Sequence, residues 1–158
     1  MQPAFLALVK NSFRFNLFLL IKLPAAFFSG VRVDSLSAEQ CVVTVPYKWF
    51  STNPFKSTYF ACLAMAAEMS TGILALGNTY ERTPAVSMLV TALEGNFFKK
   101  ATGITTFTCK DGAAITQKIN EVIATGAAGV ITTLATGVNN RNEPVANFSI
   151  TWSFKSKA

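Results

Sequence analysis

The sequence feature that most constrains this chain is a long stretch that carries a single charged side chain. Between Lys56 and Glu81 the residues are apolar, small or uncharged, and Glu68 is the exception. Apolar residues recur on all sides of a helix drawn through this stretch. The pattern predicts a long buried helix over residues 57–76, closed by Gly77–Asn78 as a left-handed cap. An ionised carboxylate costs several kcal/mol when it is buried without a partner, so the presence of Glu68 has to be explained.

The composition predicts one folded domain over residues 1–158. Hydrophobic residues make up 51% of the chain and charged residues only 14%, which is the opposite of a disordered composition. Lysine and arginine total 14 against 8 aspartates and glutamates, so anionic partners are favoured. The longest basic run is the pair Lys99–Lys100, and the sequence carries no nucleic-acid recognition motif. Nucleic acid is therefore not expected as a partner.

Histidine is absent from the sequence, and its absence excludes several enzyme classes. Ser-His-Asp and Cys-His catalysis, zincin motifs and histidine-dependent hydratases all need the imidazole. The cysteines Cys41, Cys62 and Cys109 have neither the spacing of metal ligands nor that of a disulfide framework. They are expected to be reduced core residues of a cytoplasmic protein, and no metal site is predicted.

The N-terminal residues 1–23 are apolar enough to suggest a signal peptide or a membrane span. Lys10, Arg14 and Lys22 interrupt them, and the uncharged stretches between these cations are far shorter than the roughly 20 residues that a span needs. Their spacing places the three cations on roughly one face of a helix. The favoured interpretation is an amphipathic helix that packs on the domain and ends near Leu23–Pro24. Contact of this helix with lipid or acyl chains is the alternative.

The remaining residues, 24–158, mix strand and helix patterns. A hairpin is predicted around a turn at Ser35–Glu39, and a second, shorter helix is predicted after Asp111 as its N-cap. One long apolar helix beside a mostly antiparallel sheet is typical of an α+β domain. The last strand alternates most clearly, and its apolar side carries Phe148, Ile150, Trp152 and Phe154.

Around Glu68 the predicted helix carries a stripe of small residues. The members that lie within about 60° of it on a helical wheel are Ser57, Ala61, Ala64, Thr71, Gly72 and Ala75. One explanation is that the stripe packs against a sheet or helix and that a hydrogen bond across a subunit interface satisfies Glu68. The other is that the stripe lines a substrate channel in which Glu68 is a reactive base or nucleophile. The residue pattern leaves both explanations open.

A resemblance to a known family bears on this choice. The stretch NPFKSTYFA, Asn53–Ala61, followed by Glu68 and Gly72, resembles the active-site segment of hotdog-fold acyl-CoA thioesterases. Thioesterases of the phenylacetate-pathway type carry an asparagine, then Gly-Thr-x-His-Gly-Gly, and then an acidic residue on the same helix. Asn53 stands at the asparagine and Glu68 at the acid. From Pro24 onward the chain is also similar to a family of uncharacterised hotdog proteins of thioesterase type with a leading helix.

The match departs from the thioesterase pattern at three positions. Lys56 replaces the glycine before the helix, Tyr59 replaces the histidine, and Phe60 replaces the next glycine. In the relatives the backbone N–H at that last glycine polarises the thioester carbonyl, and Phe60 retains an N–H. Phenylalanine also adds bulk where a substrate has to come near.

The resemblance implies an α+β hotdog fold, in which a curved antiparallel sheet wraps a long central helix, here with an extra N-terminal helix. It implies a homodimer, with a tetramer left open, because the acid of the relatives faces a thioester bound at the neighbouring subunit. The implied reaction is hydrolysis of a fatty or aromatic acyl-CoA, with Glu68 as general base or nucleophile and Asn53 orienting the water or the carboxylate. Coenzyme A enters as part of the substrate, so no separate cofactor is implied. The oxyanion and substrate-binding candidates are Phe60, Tyr59, Ala61, Ser57, Thr58, Ala64 and Gly72.

The surplus of basic residues fits the polyanionic coenzyme A. Lys99 and Lys100 are candidate contacts for its phosphates, although a solvated strand end is the simpler interpretation of this pair. A different class of function also stays open, namely a non-catalytic hotdog dimer that binds acyl-CoA or fatty acids. A hotdog dehydratase is disfavoured because it needs a histidine base.

Overall fold

The computed structural model describes residues 1–157, which contain five α-helices, six β-strands and one 3-10 turn. The helices are α1 Pro3–Lys10, α2 Ser12–Lys22, α3 Pro24–Ser29, α4 Phe60–Thr79 and α5 Gly112–Thr125. The strands are β1 Arg32–Leu36, β2 Cys41–Val45, β3 Ala85–Phe97, β4 Thr105–Cys109, β5 Gly129–Val138 and β6 Pro144–Lys157. The 3-10 turn is Trp49–Ser51.

The strands form one antiparallel sheet that curves around α4. Their order is β1-β2-β4-β5-β6-β3, so β1 and β3 are the edges. α4 packs against β2, β4, β5 and β6, which buries most of its surface. The predicted alternation of β6 is confirmed, because its apolar side chains all point into this core. The largest fully buried side chains include Phe5, Phe107, Phe148, Phe154, Leu74 and Ile115.

The boundaries of α4 differ from the predicted ones. The helix begins at Phe60 instead of residue 57, and it continues through Gly77 and Asn78 to Thr79. The predicted left-handed cap is wrong, because Gly77 is a helical residue whose lack of a side chain lets the N-terminal residues pack closely against it. A Cβ atom at this position would lie 3.0 Å from side-chain atoms of both Met1 and Phe5. The N-terminal segment therefore packs against the end of α4, and this tertiary contact stabilises the helical conformation beyond the glycine.

The N-terminal segment forms two helices where the sequence predicts one. α1 and α2 meet at Asn11 with a bend of 97°. The side-chain oxygen of Asn11 accepts the backbone N–H of Arg14 at 3.1 Å, which makes Asn11 the N-cap of α2. The predicted end of this segment before Pro24 is confirmed, since α2 ends at Lys22.

One helix of the described chain has the length and composition to cross a membrane. This is α4, whose apolar window has a mean hydropathy of 1.6, and 67% of that window is buried inside the fold. The bent pair of α1 and α2 also passes the same length and composition test when it is taken as a single span. Because the sheet curves around α4 and buries it, the high hydropathy of this helix is explained by burial in protein.

Asp111 corrects the sequence interpretation, whereas the buried, free cysteines agree with it. Asp111 precedes α5 as predicted, but its side chain does not cap the helix. Its carboxylate instead accepts the backbone N–H of Leu134 in β5 at 2.8 Å. Cys41 and Cys109 are buried, free and directly paired in register between β2 and β4. Burial raises the pKa of the Cys109 thiol to about 12 and raises that of Cys41 as well, so both are inert core thiols.

Candidate active site

Glu68 lies half-buried in the middle of α4, beside an apolar cavity of about 280 Å³. We refer to this as the Glu68 cavity. Lys22 of α2 supplies the other charged group in its wall. The remaining lining residues are Phe18, Leu23, Met69, Gly72, Ile73, Leu76, Met88 and Trp152. α2, α4, β3 and β6 therefore enclose a space of the size and polarity that suit an acyl or aromatic group.

Burial in this wall raises the pKa of the Glu68 carboxyl above its ordinary value. The cause is the loss of water around the charged form, which a low-dielectric surrounding disfavours. Within residues 1–157 no hydrogen bond or ion pair to the Glu68 carboxylate is found, and Lys22 does not come within ion-pairing distance. The carboxyl is thus a proton acceptor of raised basicity without a structural partner among the described residues.

Gly72 explains part of the small-residue stripe. A Cβ atom at this position would lie 3.0 Å from the Glu68 Oε1 atom and 3.2 Å from the Trp152 ring. The indole N–H of Trp152 donates to Thr71 Oγ1 at 2.9 Å, which fixes the ring across the helix. The stripe therefore accommodates Trp152 and the carboxylate side by side. Sequence reasoning assigned Trp152 to the core but did not place it against Glu68, because strand-to-helix register is not visible in the pattern.

A second cavity, of about 560 Å³, lies at the start of α4, and we call it the loop cavity. It is formed by the loop that precedes the helix and by the chain after β3. Seven of the predicted site residues line it: Asn53, Ser57, Thr58, Tyr59, Phe60, Lys99 and Lys100. Gly72 lines the Glu68 cavity instead, and the half-buried Ala61 and Ala64 line neither.

Asn53 organises the loop in front of α4. Its side-chain oxygen accepts the backbone N–H groups of Phe55 at 3.0 Å and Ser57 at 3.2 Å, and the Ser57 hydroxyl at 3.3 Å. Lys56 between them has φ = 57°, the left-handed conformation that favours glycine, which is the residue of the thioesterase pattern at this place. These bonds give Asn53 a structural role, and its predicted catalytic role stays a prediction.

The first turn of α4 has backbone N–H groups without acceptors. Thr58 N–H donates to Ala101 O at 2.8 Å and Tyr59 N–H to Ser51 O at 2.7 Å, so the loop is anchored up to the helix start. For the next two residues, Phe60 and Ala61, no acceptor of the backbone N–H is found anywhere in the described part of the chain. Unpaired N–H groups at a helix N-terminus favour an anion or a developing negative charge. The exposed rings of Tyr59 and Phe60 pack against each other here, with centroids 4.9 Å apart.

The two lysines of the loop cavity already have partners. Lys99 forms an ion pair with Glu143 at 2.7 Å, and Lys100 donates to Phe55 O at 3.3 Å. The hydrogen bonds from Lys99 and then Asn139 hold the pKa of the Glu143 carboxyl below its ordinary value. Both lysines are exposed, so a bound phosphate could replace these contacts at small cost. Among residues 1–157 no group of three or more acidic, cysteine or histidine side chains is arranged to hold a metal ion.

One protomer does not bring Glu68 and the helix start together. Glu68 lies eight positions after Phe60, which corresponds to about 12 Å along the axis of α4. The two groups also belong to different cavities. The resemblance implies a site shared between subunits, and within one chain the two groups line separate cavities.

Solved structures resemble this fold closely enough to define its class. A Chlorobaculum tepidum protein of unknown function superposes with a TM-score of 0.77 at 18% identity, covering 92% of this chain and 94% of its own. A Pseudomonas aeruginosa protein described as a probable thioesterase gives 0.74 at 21% identity, with 88% and 93% covered. A Haemophilus influenzae thioesterase gives 0.62 at 12% identity, with 90% and 89% covered. The predicted hotdog fold is confirmed.

Within this class the sequence falls in a defined family. The chain belongs to the family described as domain of unknown function DUF4442, which matches residues 13–154. None of the curated proteins matches the chain significantly. The predicted relationship to hotdog proteins of thioesterase type is therefore confirmed at the level of fold and family.

Proposed function

We propose that this protein hydrolyses acyl thioesters, with a fatty or aromatic acyl-CoA as the substrate class. The observation that carries the proposal is the Glu68 carboxyl, which lies in the wall of an apolar cavity, has a raised pKa and has no partner within residues 1–157. Buried carboxyls of this kind are well suited to general-base work near neutral pH. The thioesterase descriptions of structural neighbours support the same reaction class.

In the proposed reaction the thioester carbonyl lies at the start of α4. The unpaired N–H groups of Phe60 and Ala61 stabilise the negative charge that develops on its oxygen. In one route Glu68 takes a proton from the water that attacks the carbonyl carbon. In the other, Glu68 attacks the carbonyl carbon itself, and a water molecule then hydrolyses the resulting mixed anhydride to the free acid and regenerates Glu68. In both routes the thiolate of coenzyme A leaves and is protonated. In this proposal Lys99 and Lys100, which also line the loop cavity, contact the phosphates of the leaving group.

The proposal requires a homodimer, because Glu68 and the start of α4 line separate cavities of one chain. β3 supports this assembly, since it is a long edge strand with an unpaired side and with exposed Leu89 and Leu93. Met88 near one end of β3 lines the Glu68 cavity, and Phe97 at the other end lines the loop cavity. Antiparallel pairing of β3 with a second copy about its middle would bring the Glu68 cavity of one protomer to the loop cavity of the other.

The direct test is hydrolysis of a panel of acyl-CoAs of different chain length, in which the release of the free thiol is measured over time. In the Glu68→Gln variant we expect kcat to fall by about 100-fold or more, as for the loss of a general base. Glu39→Gln is the matched control, because Glu39 is exposed and uses only its backbone groups in hydrogen bonds. Unchanged turnover in Glu68→Gln would refute the catalytic role.

The alternative function is a non-catalytic dimer that binds acyl-CoA or fatty acids. One observation favours it: the exposed rings of Tyr59 and Phe60 occupy the place at which the thioesterase pattern has its histidine and a glycine. Long-chain acyl-CoA would then raise the melting temperature without being turned over. Stabilisation together with hydrolysis would instead support the enzyme.

The compartment is part of the same proposal. All three cysteines are buried and free, and Cys41 and Cys109 are neighbours across two strands without a disulfide between them. This arrangement is typical of a reducing compartment such as the cytoplasm, where coenzyme A esters are also available.

A further inference from the structure

α2 is apolar on two opposite sides, which is unusual for a helix at the surface. Its inner side buries Phe15 and Leu19 in the core. Its outer side carries a second apolar stripe, which at about 100° per residue spans roughly a third of the helix circumference. The members of this stripe are Phe13, Leu17, Leu20 and Ile21. Phe13 is 79% exposed and Ile21 63% exposed, so nothing in the protomer covers this side within the described residues.

A second group of exposed apolar side chains lies on the elements that follow α2. α3 packs against both α2 and the 3-10 turn. Its exposed Phe28 lies over Phe50, and Phe50 in turn contacts Trp49, with both pairs of ring centroids 5.8 Å apart. Trp49 is 85% exposed. We call this set the N-terminal apolar surface, and it consists of Phe13, Leu17, Leu20, Ile21, Leu23, Phe28, Trp49 and Phe50.

Positive charge surrounds the N-terminal apolar surface. The first 33 residues contain four basic side chains and no acidic one, since the first acid is Asp34. Lys10, Arg14 and Lys22 are exposed at or beside α2, and Lys48 precedes Trp49. Exposed aromatic and aliphatic side chains flanked by lysine and arginine are typical of helices that lie in the interface of a membrane. Each such cation adds about 1 kcal/mol of attraction to an anionic leaflet.

The charge pattern also argues against a second copy as the occupant. A two-fold pairing of this surface would bring Lys10, Arg14 and Lys22 of one protomer close to the same residues of the other. Residues 1–33 have no acidic side chain, and the first acid, Asp34, lines a pocket with Lys10 but not with Arg14 or Lys22, so the pairing would still be repulsive. An anionic lipid surface has the opposite charge and buries the same apolar side chains.

We propose that α1, α2 and the neighbouring aromatic cluster dock this protein on anionic membrane surfaces. The outer stripe of α2 and Trp49 enter the boundary between headgroups and acyl chains, and Lys10 and Arg14 contact anionic headgroups. The docking is independent of the reaction at Glu68. If the proposed function also holds, docking would place the Glu68 cavity next to the lipid, because Phe18, Lys22 and Leu23 of the same segment form part of its wall.

The test is co-sedimentation of the full-length protein with vesicles of phosphatidylcholine alone or with about a quarter of phosphatidylglycerol. We expect binding to the anionic vesicles, weaker binding to neutral ones, and loss of the difference in high salt. Trp49 provides an independent signal, because its fluorescence should shift to the blue on docking, whereas the buried Trp152 should not respond.

Two double variants with matched controls separate the apolar contribution from the charge. Phe13→Ser/Ile21→Ser should weaken binding by about tenfold or more, whereas Ile104→Ser/Val130→Ser, which changes exposed apolar residues elsewhere, should not. Lys10→Gln/Arg14→Gln should weaken binding to anionic vesicles, whereas Lys110→Gln/Lys157→Gln, with the same change in net charge, should have a much smaller effect. All four positions in each set are exposed, so melting temperatures should remain close to that of the unmodified protein.

Three results would overturn the proposal. The first is no binding to either type of vesicle. The second is equal loss of binding in the variants and in their controls. The third is a protein that does not bind vesicles and whose oligomeric state, measured by light scattering, changes in Phe13→Ser/Ile21→Ser. A second copy of the chain would then cover the N-terminal apolar surface.

Discussion

The two cavities beside α4 differ in size, in their position along the helix and in the charged groups that line them. The Glu68 cavity is apolar, lies against the middle of the helix, and contains a carboxyl whose pKa is raised by burial. The loop cavity is larger and lies at the helix start, where two N–H groups have no acceptor in the described chain and two lysines are exposed. The first offers a base and an acyl-sized space, and the second offers positive potential.

Under the proposed function neither cavity is a complete site by itself, and for this reason the proposal pairs two chains. A thioester needs a nucleophile or base on one side of its carbonyl and an anion-stabilising group at its oxygen. Within one protomer these are about 12 Å apart along α4. The comparison therefore predicts that the properties of each cavity can be altered separately while catalysis depends on both.

The largest expected effect follows from removing the N–H of the helix start. Phe60 is the first residue of α4, where proline is well tolerated, and Tyr59 before it already has the extended backbone that proline requires, with ψ = 133°. Phe60→Pro should lower kcat by about 100- to 1,000-fold, as for the loss of one oxyanion donor. Steady-state hydrolysis of acyl-CoA is the measurement.

Phe60→Ala is the control for this experiment, since it removes the ring and keeps the N–H. Its kcat should stay close to that of the unmodified protein or rise, because the bulk at the substrate position is reduced. If Phe60→Ala and Phe60→Pro lose the same activity while both remain folded, the N–H of residue 60 does not stabilise the reaction.

A smaller effect, this time on stability, is expected in the Glu68 cavity. Gly72→Ala would introduce a Cβ atom 3.0 Å from Glu68 Oε1 and 3.2 Å from the Trp152 ring, which is held by its bond to Thr71. Such overpacking should lower the free energy of unfolding by about 1–3 kcal/mol, measured by urea denaturation. In Gly103→Ala the new atom has no neighbour closer than 4.0 Å, so that variant should be almost neutral. Equal effects of the two variants would show that Trp152 does not pack tightly on α4.

The smallest effects are the pH dependences of two carboxyls, which should have opposite signs. The pKa of Glu68 is raised in the folded state, so its protonated form stabilises the fold below the ordinary pKa and this contribution is lost as pH rises through the raised value. Glu68→Gln should therefore melt at a higher temperature than the unmodified protein near neutral pH, and the gain should shrink at about pH 4. The pKa of Glu143 is lowered, so its contribution is present above the ordinary value and is lost as pH falls.

Glu143→Gln should accordingly melt at a lower temperature near neutral pH, with the loss shrinking in acid. Thermal melts of both variants across this pH range are the measurement. The same sign for the two variants would contradict the assignment of Glu68 to an apolar environment and of Glu143 to an ion pair.

Much of the fold could be predicted from local patterns, and the errors occurred where distant segments meet. α4 was predictable because its apolar residues cover every side, and β6 because Phe148, Ile150 and Trp152 alternate. Gly77 was misread as a cap, because its contact with Met1 and Phe5 joins residues that are far apart in the sequence. The break at Asn11 was missed because the apolar pattern runs through it, although Asn and Ser are preferred at helix starts.

The candidate site was predictable to the extent that its residues are contiguous. Asn53, Ser57, Tyr59 and Phe60 line one cavity because they belong to one loop and one helix start. The position of Glu68 on the same helix was equally clear, but its distance from Phe60 is set by the helical rise and not by sequence similarity. The approach of Lys22 and Trp152 to Glu68 depends on how α2 and β6 pack on α4, which a sequence pattern does not show.

The central claim is that one protomer supplies Glu68 and the other supplies the start of α4. Mixed dimers of Glu68→Gln and Phe60→Pro test it most directly, because each mixed dimer contains one site with both groups intact. Each variant alone should be almost inactive, and an equal mixture, unfolded and refolded together, should recover about a quarter of the unmodified activity. If the mixture is dimeric and folded but no more active than its parents, both groups act within one chain or not at all, and the claim is wrong.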